Sequence, residues 1–183
     1  MERLSQEQLQ ALDIHLLEWY HQQADTRQKD LVRVEHTITD RGYTLLAVYF
    51  AILSAAVGYV LTHLHIVTDA ALTYGCLSVI IFTSISIYYI YLVIRPHSYH
   101  TPGRKPDEME IPGYIAYFIS HQVSGDNQRK QILGDELVVL QNKIDLQEEK
   151  NDKRTTFIRY SLYFMLAGAS IGVSLFLAAA FIL

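Results

Sequence analysis

The sequence has a single cysteine, Cys76, set inside an apolar run, so neither a disulfide framework nor a cysteine-based metal site can be built. Its four prolines, Pro96, Pro102, Pro106 and Pro112, all fall in one stretch, and none follows to the last residue. The opening residues, MERLSQE, lack the short apolar run of a signal peptide, so insertion is expected to be directed by internal segments. A glycine-rich phosphate loop, a nucleophile elbow and an intramembrane carboxylate pair are all missing, which argues against an enzyme. There are eight histidines, but His63, His65, His97 and His100 have no cysteine or carboxylate at ligand spacing. No metal and no cofactor is therefore expected.

Charge is also missing, and in a pattern. Half of the 183 residues are apolar and the formal net charge is −4, yet three long runs carry no charge at all. These are residues 43–61 (YTLLAVYFAILSAAVGYVL), 70–94 (AALTYGCLSVIIFTSISIYYIYLVI) and 160–183 (YSLYFMLAGASIGVSLFLAAAFIL). Each is close to or above the roughly 20 residues with which a helix crosses the bilayer hydrocarbon. In lipid such a run must be helical, because every backbone donor and acceptor needs an internal partner. The fold class expected is thus an all-α integral membrane protein with three transmembrane helices.

The cations fix an orientation. Arg3, Arg27, Lys29, Arg33 and Arg41 precede the first span; Arg95, Arg104, Lys105, Arg129, Lys130, Lys143, Lys150, Lys153, Arg154 and Arg159 lie between the second and third. The turn THLHIVTD and the C-terminus have none. The positive-inside rule then places residues 1–42 and 95–159 in the cytoplasm and the C-terminus across the inner membrane. Tyr88, Tyr89 and Tyr91 read as an aromatic belt at the same end.

The cytoplasmic parts are expected to be helical and amphipathic. Ser5 and Gln8 form a capping box. Leu9, Leu16, Tyr20, Leu31, Val34 and Ile38 then share one stripe at 100° per residue, with Leu12 and Trp19 at its margin. A proline-pinned loop follows span two, and residues 95–125 end in a short aromatic helix, GYIAYFISHQV, lying against the membrane or a partner. Ser124-Gly125-Asp126 offers the N-cap of a helix over 126–159, which the lack of proline allows to run into span three. Its heptad-like stripe of Leu133, Leu137, Leu140, Ile144, Gln147, Asn151, Arg154 and Ile158 fits either packing on the N-terminal helix or an intersubunit coiled coil. Gly168 and Gly172 in span three form a small-residue pair that lets helices approach closely.

Polar groups on these stripes are the candidate site. Arg27 falls on the apolar stripe of the first helix, where it forms either an ion pair with a helix-face acid or part of a binding site. Arg159, at the mouth of span three, either snorkels to headgroups or serves the site. Arg27, Arg33, Arg95, Arg104, Lys105 and Arg154 would border a pocket for an anionic ligand, since the planar guanidinium fork suits phosphate. Tyr99, Tyr114 or Tyr117 would stack on a base.

Taken in order, these parts resemble the Pycsar transmembrane effector family of bacterial anti-phage defence. The resemblance is carried by Leu17-Glu18-Trp19-Tyr20 with Ala24-Asp25-Thr26-Arg27, where arginine replaces the family's usual lysine. It continues through the span exit Ile94-Arg95-Pro96, the aromatic segment Ile115-Ala116-Tyr117-Phe118, and the helix from Ile132 to Ile144 leading through Asn151 and Arg154. It implies a membrane effector whose state is set by a nucleotide from a partner nucleotidyltransferase or cyclase. Related effectors answer other nucleotide signals, including the DNA oligomers of Hailong systems.

Three classes of function follow as expectations. One is a nucleotide-controlled pore or channel causing abortive infection, which needs several copies, with closed ring symmetry and a tetramer as a guess. Ser54, Thr83, Ser84, Ser86, Ser170 and Ser174 would give it a weakly polar lining. The alternative is a non-conducting membrane scaffold or immunity protein. A membrane enzyme is the third and has no acid, base or nucleophile cluster behind it.

Overall fold

The computed structural model describes residues 12–63, 70–96 and 111–182. Four helices account for nearly all of them: α1, Ile14–His63; α2, Ala70–Ile94; α3, Ile111–Ser120; and α4, Gly125–Ile182. Among the described residues, α1, α2 and α4 are long and apolar enough to cross a membrane, consistent with a multi-pass membrane protein.

Local chemistry sets the helix ends. Asp13 caps α1, its Oδ2 accepting the amide of His15 at 3.3 Å while its carbonyl takes the first intrahelical bond from Leu17. The expected cap at Ser5 lies outside the described residues. At the far end the Thr62 hydroxyl bonds back to the carbonyls of Gly58 and Tyr59, and the His63 ring stacks on Tyr59 at 4.2 Å. Pro96 disfavours helical backbone at Arg95, and α2 stops at Ile94. α3 closes in a Schellman motif: Val123 N–H reaches the Phe118 carbonyl, Gln122 N–H reaches that of Ile119, and Gln122 adopts φ 50°. α4 starts at Gly125 after Ser124, where the cap was expected, and runs 58 residues without a break, about 87 Å.

The chain divides into two compact units. The first takes the described parts of Met1–Val34 and Ser98–Lys150. Its centre is Leu17 against Leu137, flanked by Leu12, Tyr20, Leu133 and Val138, so the stripe of α4 packs on the N-terminal helix of the same chain. Polar side-chain pairs lace its surface: Arg129 is ion-paired with Glu18, and the His21 ring lies 3.4 Å from the Glu136 carboxylate.

The second unit takes the described parts of Glu35–His97 and Asn151–Leu183, and therefore the three segments long and apolar enough to span a membrane. Close approach is made by glycine. A Cβ on Gly168 would lie 2.5 Å from Phe82 Cβ, and one on Gly172 would lie 3.2 Å from the Gly75 carbonyl oxygen, so this pair seats span three on span two of the same chain. Tyr89 stacks on Phe164 at 5.5 Å and contacts Tyr160 and Phe157.

The buried face of α1 differs from the expected stripe. Leu16, Val34 and Trp19 are exposed, whereas Leu17, Gln28, Leu31, Glu35 and Ile38 are buried. These positions repeat every 3.5 residues on average, as do Leu137, Leu140, Gln147, Asn151, Arg154 and Ser161 of α4. A heptad seam drifts about 20° per seven residues from a 100° stripe. Polar residues inside the seam also disguise it from a hydropathy reading.

Candidate functional site

A buried and extensively bonded polar cluster lies in the second unit, just before the apolar segments begin. Heptad spacing turns Glu35 of α1 and Arg154 of α4 inward, leaving 5% and 4% of each residue exposed. Arg154 Nη1 donates to Glu35 Oε1 at 3.0 Å, Nη2 to Thr39 Oγ1 at 2.6 Å, and Nε to the Val93 carbonyl at 2.9 Å. Thr39 sits one turn after Glu35 on the same helix face, and its hydroxyl donates to the Glu35 carbonyl at 2.9 Å, leaving its lone pairs for the guanidinium. One arginine thus ties together α1, α2 and α4. Three of its five N–H donors are spent in the fork geometry that only guanidinium offers.

Each contact has an electrostatic reason. Val93 belongs to the last turn of α2, where carbonyls lack intrahelical partners and the helix dipole is negative, so a cation is favoured there. Glu35 supplies the counter-charge that a desolvated arginine requires. Above this clasp a second polar layer is fully bonded within the chain. Ser86 Oγ donates to the Ser161 carbonyl at 2.9 Å, Tyr49 Oη lies 3.4 Å from Ser161 Oγ, and Thr83 Oγ1 approaches Met165 Sδ at 3.5 Å. Thr83 and Ser86 accordingly face the chain's own core, while Ser54, Ser84, Ser170 and Ser174 are exposed.

The residues read from the sequence as a ligand site fall into separate settings. Arg27 is exposed and pairs with Glu148, Nη2 and Nε reaching Oε1 at 2.7 and 3.2 Å, the ion-pair alternative for that residue. Arg33 is exposed, 3.7 Å from Asp30. Tyr114 donates its hydroxyl to Asp135 Oδ2 at 2.8 Å, and Tyr117 stacks on His121 at 4.3 Å. In the second unit, Arg95 is exposed at the end of α2 and Arg154 is engaged as described. Arg104, Lys105 and Tyr99 lie outside the described residues.

Sequence reasoning flagged Arg154 but missed Glu35 and Thr39. The signal for Glu35 was its spacing, four residues from Leu31 and three from Ile38. Among the described residues no group of three or more His, Cys, Asp or Glu side chains is placed to hold a metal ion. Comparison with family models, with curated proteins and with solved structures finds no match to this chain.

Proposed function

We propose that this chain is a membrane effector of an anti-phage defence system. In this reading it is a homo-oligomeric pore or channel in the bacterial cytoplasmic membrane, its N-terminus inside and its C-terminus across the bilayer. A nucleotide or oligonucleotide made by a partner enzyme sets its state from the cytoplasmic side. The observation that carries the reading is the Arg154 clasp: a buried ion pair joining all three spanning helices where they leave the apolar zone. Buried pairs contribute little net stability relative to apolar packing, and fixing register or switching is their best-attested use. A ligand that favours one arrangement of α1 and α4 shifts such an element only by its differential affinity for the two states. On α1 the exposed Arg27 and Arg33 of the ligand reading lie outside the spans, while Arg154 on α4 is engaged in the clasp.

The test is ion flux from liposomes holding the purified protein, with and without cyclic mononucleotides, cyclic dinucleotides and short DNA oligomers. Flux that one of these turns on or off is expected. Silence under all of them, with a monomeric mass in detergent, rejects the reading.

A second reading, a non-conducting scaffold or immunity protein, is favoured by one feature: the inward hydroxyls of Ser86 and Thr83 are bonded inside the single chain. Uncontrolled expression separates the two, since a pore is toxic and a scaffold is tolerated.

A further inference from the structure

The clasp accounts for Arg154, but a second arginine of the same unit has no such partner. Arg159 is exposed, and its side chain makes neither an ion pair nor a hydrogen bond among the described residues. Its depth follows from the packing. Gly42 of α1 lies against Ile94, a Cβ there falling 2.7 Å from Ile94 Cγ2, so Arg41 and Arg95 leave their helices at one level. On α4 that level is near Arg154, which bonds the Val93 carbonyl. The backbone of Arg159 is five residues further on, about 7.5 Å deeper into the apolar zone. Tyr89, inside the end of α2, agrees with this depth through its contact with Tyr160.

Among the described residues no carboxylate of the spanning helices shares that depth. The last acid before the span is Asp40 on α1 and Asp152 on α4, and α2 has none. A guanidinium carried by backbone at that depth leans back toward the helix N-terminus and the headgroups; it needs a counter-ion there, and the described residues supply none. Bilayer phosphates do. Arginine's fork binds a phosphodiester through two N–H donors, and exposed Tyr160 and Tyr163 beside it, the latter one turn on, are rings of the kind that settle at headgroup depth.

We propose that Arg159 binds anionic phospholipid headgroups in the leaflet at this end of the spans, with Arg41 and Arg95 at the same end adding positive charge. The choice of an anionic lipid over a zwitterionic one rests on charge. The three arginines outnumber the adjacent Asp40 and Asp152, and Lys153 adds a further cation. A headgroup amine would oppose the attraction that the phosphate supplies. This binding depends on the membrane-spanning character of the helices and not on nucleotide control, so either can fail without the other.

The experiment is native mass spectrometry of the full chain released from nanodiscs of equal phosphatidylglycerol and phosphatidylcholine, alongside its thermal unfolding in detergent with each lipid added. Wild type is expected to retain phosphatidylglycerol preferentially and to be stabilised by it. Arg159→Gln loses about fivefold of that preference, as expected for one juxtamembrane cation. Arg129→Gln, outside the spanning unit, leaves it unchanged. Should Arg159→Gln not fold, the Arg41→Gln, Arg95→Gln double variant is expected to reduce the preference by a similar or larger factor. Equal retention of both lipids by wild type, or an unchanged preference in the folded Arg159 variant, overturns the proposal.

Discussion

Arg154 and Glu35, separated by 119 positions in the chain, meet as an ion pair with side chains only 5% and 6% exposed. Such a pair is asymmetric: breaking it is far worse than never having it. Glu35→Ala leaves a buried guanidinium unpaired and is expected to cost about 3–5 kcal/mol in detergent unfolding. Replacing both residues with apolar groups, Glu35→Leu with Arg154→Met, is expected to recover most of that loss. Arg154→Lys also loses stability, because an ammonium cannot reproduce the three-way fork. A double variant as unstable as Glu35→Ala would show that the loss comes from elsewhere.

Two glycines of the spans make opposite demands. Gly168 has Phe82 Cβ 2.5 Å from where a Cβ would sit, while Gly58 has nothing within 4 Å. Gly168→Ala is expected to destabilise by about 1–3 kcal/mol through overpacking. Gly58→Ala is expected to be neutral or slightly stabilising, since alanine is the better helix former. Unfolding midpoints of the two variants, measured in one detergent, check both directions.

Gln122 holds a left-handed backbone at the end of α3, with φ 50°. That conformation costs roughly 1–2 kcal/mol in a residue bearing a Cβ. Gln122→Gly is expected to stabilise the first unit by about 0.5–1 kcal/mol, the gain being trimmed by the greater freedom of unfolded glycine. Slower amide exchange across residues 111–123 would register it.

The Arg27–Glu148 pair is solvent-exposed, so removing either partner is expected to move stability by only about 0–1 kcal/mol. On the nucleotide reading the two variants then part company. Arg27→Ala weakens the nucleotide response roughly tenfold or more, as for the loss of a charged hydrogen bond, whereas Glu148→Ala leaves it intact or strengthens it. Liposome flux against nucleotide concentration decides. Equal responses from the two variants would mean that Arg27 serves only its pair.

Much of the architecture was legible before any coordinates. Three uncharged runs long enough for hydrocarbon can be little else than spans, because unsatisfied backbone is intolerable in lipid. The continuity of α4 was legible too: no proline interrupts it and Ser124 precedes its start. The small-residue pair Gly168 and Gly172 announced a close helix contact, though not that its partner was Gly75 and Phe82 of the same chain.

What the tertiary structure alone decided was which face of each long helix points inward, and therefore who meets whom. Gln28 and Glu35 occupy the buried seam of α1 while Leu16 and Val34 face out, an inversion that hydropathy cannot anticipate. A buried carboxylate needs a partner to satisfy it, and for Glu35 that partner is Arg154, 119 positions away in the chain and brought to it by the register of two helices. Composition settled that this chain has helices suited to a bilayer; the pairing of distant side chains settled how those helices are held.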